Sequence, residues 1–228
     1  MQISIKLSPR LAPFFLIAVC CFSATVTSYA HTINYALEKA PANEVISYYL
    51  GLGFKHIIPD GFDHVLFVVG LCLLSNTLKQ MLWQATAFTI AHSITLAMSM
   101  KGIIVAPTAI VEPIIALSIL FVAIENVLLS GFKAGRLLLV FFFGLIHGLG
   151  FASSLNEIGL PRNSFLSAVL SFNAGVELGQ IVVILAIFLL LVVPFKNKIF
   201  YRKLIVYPLS ILIAITALYW TVERVFFA

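Results

Sequence analysis

Six apolar runs dominate this chain, at about residues 59–76, 81–100, 107–129, 135–155, 163–193 and 204–226. At 1.5 Å of rise per residue, a helix over each run reaches across a hydrocarbon core of about 30 Å, the first only marginally. Lipid offers backbone amides no hydrogen-bond partner, so such runs cross it as helices that satisfy themselves. The expected fold is all-α, a polytopic membrane bundle of about six transmembrane helices over residues 59–228. The fifth run is too long for one straight span, and Asn173-Ala174-Gly175 within it marks where it is expected to tilt or break.

Composition closes the soluble alternative. Of 228 residues, 61% are hydrophobic and 10% charged, against roughly 45–50% and about 25% in soluble domains. Lipid must therefore be the solvent for much of the surface, and the bilayer is the first expected partner. The net charge of +5 is spread in short basic clusters between apolar runs. That is the pattern of membrane topology, not of a nucleic-acid surface, and no nucleic-acid partner is expected. Cys20, Cys21 and Cys72 form neither a disulfide framework nor a CxxC site.

Residues 1–30 read as a signal peptide: Lys6 and Arg10 are the basic region, Leu11 to Ser23 the apolar one, and Ser28-Tyr29-Ala30 the small-x-small cleavage site. An uncleaved first span is the rival reading. Cleavage after Ala30 leaves His31 as an extracytoplasmic N-terminus whose imidazole and amine can chelate a metal, unless it is merely a polar residue after a cut. Residues 31–58 are expected as a short extracytoplasmic segment, with a helix after Asn43 whose Tyr48, Tyr49 and Phe54 suit the membrane interface. With residue 31 outside, Lys79, Lys133, Arg136, Lys196, Lys198, Arg202 and Lys203 fall inside. The outer loops hold only Lys101 and Arg162, besides Lys39 and Lys55 in the lead segment. The positive-inside rule agrees with the signal peptide, and the expected location is a bacterial inner membrane with the mature N-terminus outside.

Ionisable groups within a bilayer cost several kcal/mol unless paired, and by default mark functional sites. The first run opens HIIPDGFDHVLF. With Pro59 in the first helical turn, Asp60, Asp63 and His64 stand at i, i+3 and i+4 on one face, with His56 just before. A carboxylate beside an imidazole either co-ligates a metal or orients the ring. Acids are also favoured at a helix N-terminus, which explains Asp60 and Asp63 but not His64. His92 lies near mid-membrane in the second run, with Thr86, Thr89, Ser93 and Thr95 close by. The alternative for those hydroxyls is that they return hydrogen bonds to their own helix and join it to its neighbours. In the third run Glu112 lies near the outer end, where it is otherwise a helix-start acid before Pro113; Asn126 follows on nearly the same face, and Glu125 lies closer to the cytoplasm.

The fourth run reads FGLIHGLGFA, with His147 between Gly144 and Gly148, a small-xxx-small pair that admits close packing. The fifth carries Asn173, Glu177 and Gln180 at i, i+4 and i+7, and Gly175 and Gly179 on a second close-packing face. Because the spans alternate direction, sequence position converts to depth. His64 lies about seven residues below the outer surface, Glu112 about five, His147 about eight, His92 about nine and Asn173 about ten. Three imidazoles with carboxylates at matched depth are a ligand set for nickel, cobalt or zinc. A purely structural polar network is the alternative.

The ordered motifs GFKHIIPDGFDHVLF, TAFTIAHSITLA, VEPIIALSI, FGLIHGLGFA and FNAGVELGQ, over residues 53 to about 180, resemble the HupE/UreJ family of bacterial membrane proteins. The resemblance implies nickel or cobalt uptake. It places the family's acid-histidine motif on Asp63 and His64, its other histidines on His92 and His147, and its late Asn and Glu on Asn173 and Glu177. The resulting expectation is a permease in which His64, His92 and His147 bind a divalent metal. Asp63 and Glu177 would be ligands or partners of ligands, and Asn173 would complete the shell. His56, Asp60, Ser93, Glu112 and Gln180 are supporting or pathway residues, and Glu125 and Asn126 are expected on an inner exit path. The rival is an intramembrane zinc hydrolase, with Ser93 polarising a substrate carbonyl. A metal sensor or chaperone is the third reading.

Overall fold

The computed structural model describes residues 35–133, 135–196 and 200–227, with side chains from Leu37 onward. The signal-peptide segment, Cys20, Cys21 and His31 lie outside the described residues. After a single turn at Tyr35–Glu38, seven longer helices follow. They are α1 (Ala42–Ile57), α2 (Phe62–Leu73), α3 (Leu78–Met100), α4 (Thr108–Leu128), α5 (Gly135–Ile158), α6 (Phe165–Phe195) and α7 (Arg202–Phe226). No strand occurs among the described residues.

The helix ends follow from local chemistry. Thr77 caps α3 by accepting from the Gln80 N–H at 3.3 Å, while Gln80 Oε1 accepts from the Asn76 N–H at 3.1 Å. Gly102 and Gly159, at φ of 68° and 81°, turn the chain where α3 and α5 end. Four helices, α4 to α7, are long and apolar enough to cross a membrane. The 23-residue α3 has the length too, but is richer in polar residues.

The first run does not form one straight span. Helix α2 has only 12 residues, and it begins at Phe62, so Asp60 lies outside it, exposed in the connecting turn. The expected face shared by Asp60, Asp63 and His64 does not form. Helices α1 and α2 instead make a pair bent by 68° that is long and apolar enough to cross a membrane only when taken together. Helix α1 buries Val45, Tyr49, Gly53 and Ile57. It runs along α6, where a Cβ on Gly53 would strike the Phe172 backbone and one on Gly175 the Leu50 backbone. The break expected at Asn173 in the fifth run is absent, since α-helix is continuous from Phe165 to Ile187 and only then passes into a π-helical turn at Phe188–Val192. The discontinuity falls between α1 and α2.

The burial pattern is inverted relative to a soluble protein. His92, His147, Gln84 and Asn126 are 0% exposed, while Leu190 and Leu204 are 68% and 66% exposed. Apolar side chains facing out and polar ones facing in suit a hydrocarbon solvent.

Candidate metal centre

The 68° bend between α1 and α2 turns two histidines toward each other: His56 from the last turn of α1 and His64 from the first turn of α2, with ring centroids 4.6 Å apart. Helix α3 adds His92, 6.1 Å from each of them. Helix α5 adds His147, 5.0 Å from His64. One ligand atom from each of His56, His64 and His92 lies within 4.8 Å of the others. Opposed imidazole nitrogens on one ion stand about 4.2 Å apart at most, so small ring rotations close the set.

The decisive detail is which nitrogens are used. His64 Nδ1 meets Asp63 Oδ1 at 3.1 Å. A carboxylate only accepts, so Nδ1 carries the proton and Nε2 keeps its lone pair. His92 Nδ1 meets Asn173 Oδ1 at 3.1 Å, and the amide cannot be reversed because Asn173 Nδ2 donates to the Val169 carbonyl at 2.8 Å. His92 is thereby held in the same tautomer. His147 Nε2 meets Ser118 Oγ at 2.9 Å, and Ser118 spends its one proton on the Ile115 carbonyl at 2.7 Å. Ser118 therefore accepts, and the free lone pair of His147 is on Nδ1. These atoms, Nε2 of His64 and His92 and Nδ1 of His147, are buried without a hydrogen-bond partner, as is Nε2 of His56. An unpartnered buried polar atom is costly, and nitrogens left open on neighbouring rings are donors that a metal ion could use.

Close helix packing and aromatic walls hold the rings. A Cβ on Gly148 would meet the His92 carbonyl and Thr95 Oγ1, so α5 lies directly against the α3 backbone that carries His92. Phe88 and Phe67 pack on His147 at 5.0 and 5.2 Å, and Phe151 on His56 at 3.8 Å.

Other predicted residues fall elsewhere. Glu177 accepts from Thr86 Oγ1 at 2.8 Å, and Gln180 from Thr89 Oγ1 at 3.0 Å, so the polar stripe of α6 mainly joins α6 to α3. Ser93 gives its proton to the Thr89 carbonyl at 2.6 Å. The Glu112 carbonyl accepts from Arg224 at 3.2 Å. Asn126 donates to the Gly70 carbonyl at 2.8 Å and accepts from Arg136 at 3.2 Å. Glu125 pairs with Arg136 at 3.4 Å. Arg136, counted by sequence among inner-loop charges, is 2% exposed at the start of α5. Glu125, Asn126 and Arg136 thus form a buried clamp away from the histidines. Sequence reasoning passed over Ser118, although it lies within VEPIIALSI, and the phenylalanines, which are common in this chain.

The profile of the family described as HupE / UreJ protein matches residues 30–224. The chain belongs to the HupE/UreJ family. No curated protein and no solved structure matched it. Membership and the apolar helices together make this a multi-pass membrane protein. The family points to transition-metal uptake, and the histidine cluster lies within the segment shared with it.

Proposed function

We propose that this HupE/UreJ protein takes up a divalent transition-metal ion, nickel or cobalt, across a bacterial inner membrane through the histidine centre. The observation that carries this reading is the convergence of His56, His64 and His92 from α1, α2 and α3, with one ligand atom of each within 4.8 Å of the others and a buried, unpartnered nitrogen on each ring. Borderline nitrogen donors suit nickel, cobalt and zinc and leave calcium and magnesium, which prefer oxygen, without their ligands. His64, His92 and His147 are ligands in this reading, and His56 joins them rather than standing outside. Asp63, Asn173 and Ser118 act through the rings they orient. Glu177 serves the α3–α6 contact, or a later stage of passage, rather than the first coordination set.

Orientation follows the loop charges. The bundle then makes six passes, with α1–α2 counted as one broken pass whose break exposes the site, as in transporters built on discontinuous helices. The test is uptake of radiolabelled nickel and cobalt by cells making the wild type or His64→Ala, beside metal analysis of the purified protein. The expected outcome is uptake and bound metal in the wild type, and loss of both in the variant. Equal accumulation in cells with and without the wild-type protein would defeat the proposal.

A further inference from the structure

Arg224, near the end of the last helix, lies at the histidine centre rather than at the chain's periphery. Its Nη2 is 3.7 Å from Asp63 Oδ2, the oxygen left over after Oδ1 has accepted both the backbone N–H and the ring Nδ1 of His64. Two other contacts hold it. Its Nη1 donates to the Glu112 carbonyl at 3.2 Å, and its guanidinium carbon lies 5.6 Å from the centroid of the Trp220 ring. Trp220 in turn packs at 6.0 Å on Phe62, the residue before Asp63. Arg224 and Asp63 are 22% and 23% exposed, so both sit at the edge of the centre.

The charges nearest the rings then sum simply. Asp63 contributes one negative charge and Arg224 one positive charge, and imidazoles that offer lone pairs to a metal contribute none. A neutral centre is the cheapest to keep in low dielectric. A divalent ion on the imidazoles changes this, because it is drawn to Asp63 and repelled by the guanidinium beside it.

We propose that Arg224 is an exchangeable counter-cation of the centre, paired with Asp63 until the metal ion binds and displaced from it by that ion. This rests on the metal-uptake reading above. The pair is suited to exchange: at 3.7 Å it is longer than a hydrogen bond, and the Glu112 carbonyl and Trp220 retain Arg224 when Asp63 is given up. Arg224 also opposes over-tight binding, which lets an ion captured by the histidines leave again.

A residue that merely ties α7 to α2 and a counter-cation predict opposite signs. Nickel affinity of the full-length protein in detergent is measured by competition with a chromophoric chelator, for the wild type, Arg224→Gln, Arg224→Met and Arg224→Lys. Arg224→Gln and Arg224→Met are expected to bind nickel at least about tenfold tighter, and Arg224→Lys, which keeps the charge, about as the wild type does. In cells, Arg224→Gln is expected to lower both the KM and the maximal rate of uptake. Methionine keeps the apolar stem against Trp220, so it reports the charge if glutamine unfolds the protein. Affinity unchanged or weaker in the folded variants overturns the inference alone. A wild type that binds neither nickel nor cobalt overturns the histidine-centre reading and this inference with it.

Discussion

A histidine ring offers a metal one of two nitrogens, and the partner of the other decides which. Asp63, Asn173 and Ser118 make that choice for His64, His92 and His147. Asn173 does so with a carbonyl oxygen, adding no charge to the site, whereas Asp63 adds one that Arg224 offsets. Removing such a partner commonly costs 10–100-fold in metal affinity. Asn173→Ala is therefore expected to weaken nickel binding by about 10–100-fold while the protein still folds, as read by chelator competition and a thermal melt on the same sample. Undiminished affinity would show that His92 needs no such support. Sequence alone placed Glu177 among the ligands or their partners and Asn173 as completing the shell. They lie four residues apart on α6, about 6 Å along the axis, so they meet different turns of α3: Asn173 reaches His92 and Glu177 reaches Thr86.

At the scale of elements, the centre depends on two close helix contacts that place α5 on α3 and α1 on α6. Where α5 crosses α3, a Cβ on Gly144 would lie 2.5 Å from the Phe88 carbonyl oxygen and 2.9 Å from the Ala91 Cβ. The first of these is backbone and cannot swing aside. Gly144→Ala is expected to destabilise the bundle by about 1–3 kcal/mol through overpacking, and to lower the melting temperature in detergent. Gly51 in α1 is the contrast, since a Cβ there meets nothing within 4 Å. Gly51→Ala is expected to be neutral or to stabilise by up to about 1 kcal/mol, because alanine is the better helix former. A melt in which the two variants move alike would deny that the α3–α5 contact is tight. The close packing at Gly144 and Gly148 was legible in the FGLIHGLGFA pattern, because small residues at that spacing face one side of a helix.

For the whole molecule, the orientation read from loop charge places Lys196 in the cytoplasm and Arg162 outside, and both are exposed. In intact cells, a cysteine in place of Arg162 is expected to react with a membrane-impermeant thiol reagent. One in place of Lys196 is expected to react only after the cells are opened. The reverse pattern would invert the topology and, with it, the side from which metal arrives.

What the sequence determined by itself is what hydrophobicity and spacing carry. These are the all-helical membrane fold, the approximate limits of α3 to α7, the family, and the presence of histidines and acids within or beside apolar runs. Only the tertiary structure decided which of those groups meet. His56 read as a residue outside the bundle because nothing local announces the 68° turn that carries it back onto His64. The first run read as a span of its own because its apolar length is marginally sufficient, but the helix within it has only 12 residues and is paired across the bend with α1. Asn126, Glu125 and Arg136 read as an exit path and an inner-loop charge. What the fold adds is that they form one clamp, in which Arg136 joins Glu125, Asn126 and the Gly70 carbonyl of a helix more than fifty residues away in the chain. Ser118, within VEPIIALSI, and Arg224 were not singled out as site residues, since a hydroxyl in an apolar run and a cation near a helix end are common. Their significance lies in the ring and the carboxylate they touch, and such contacts form only when α4 and α7 are laid against the rest.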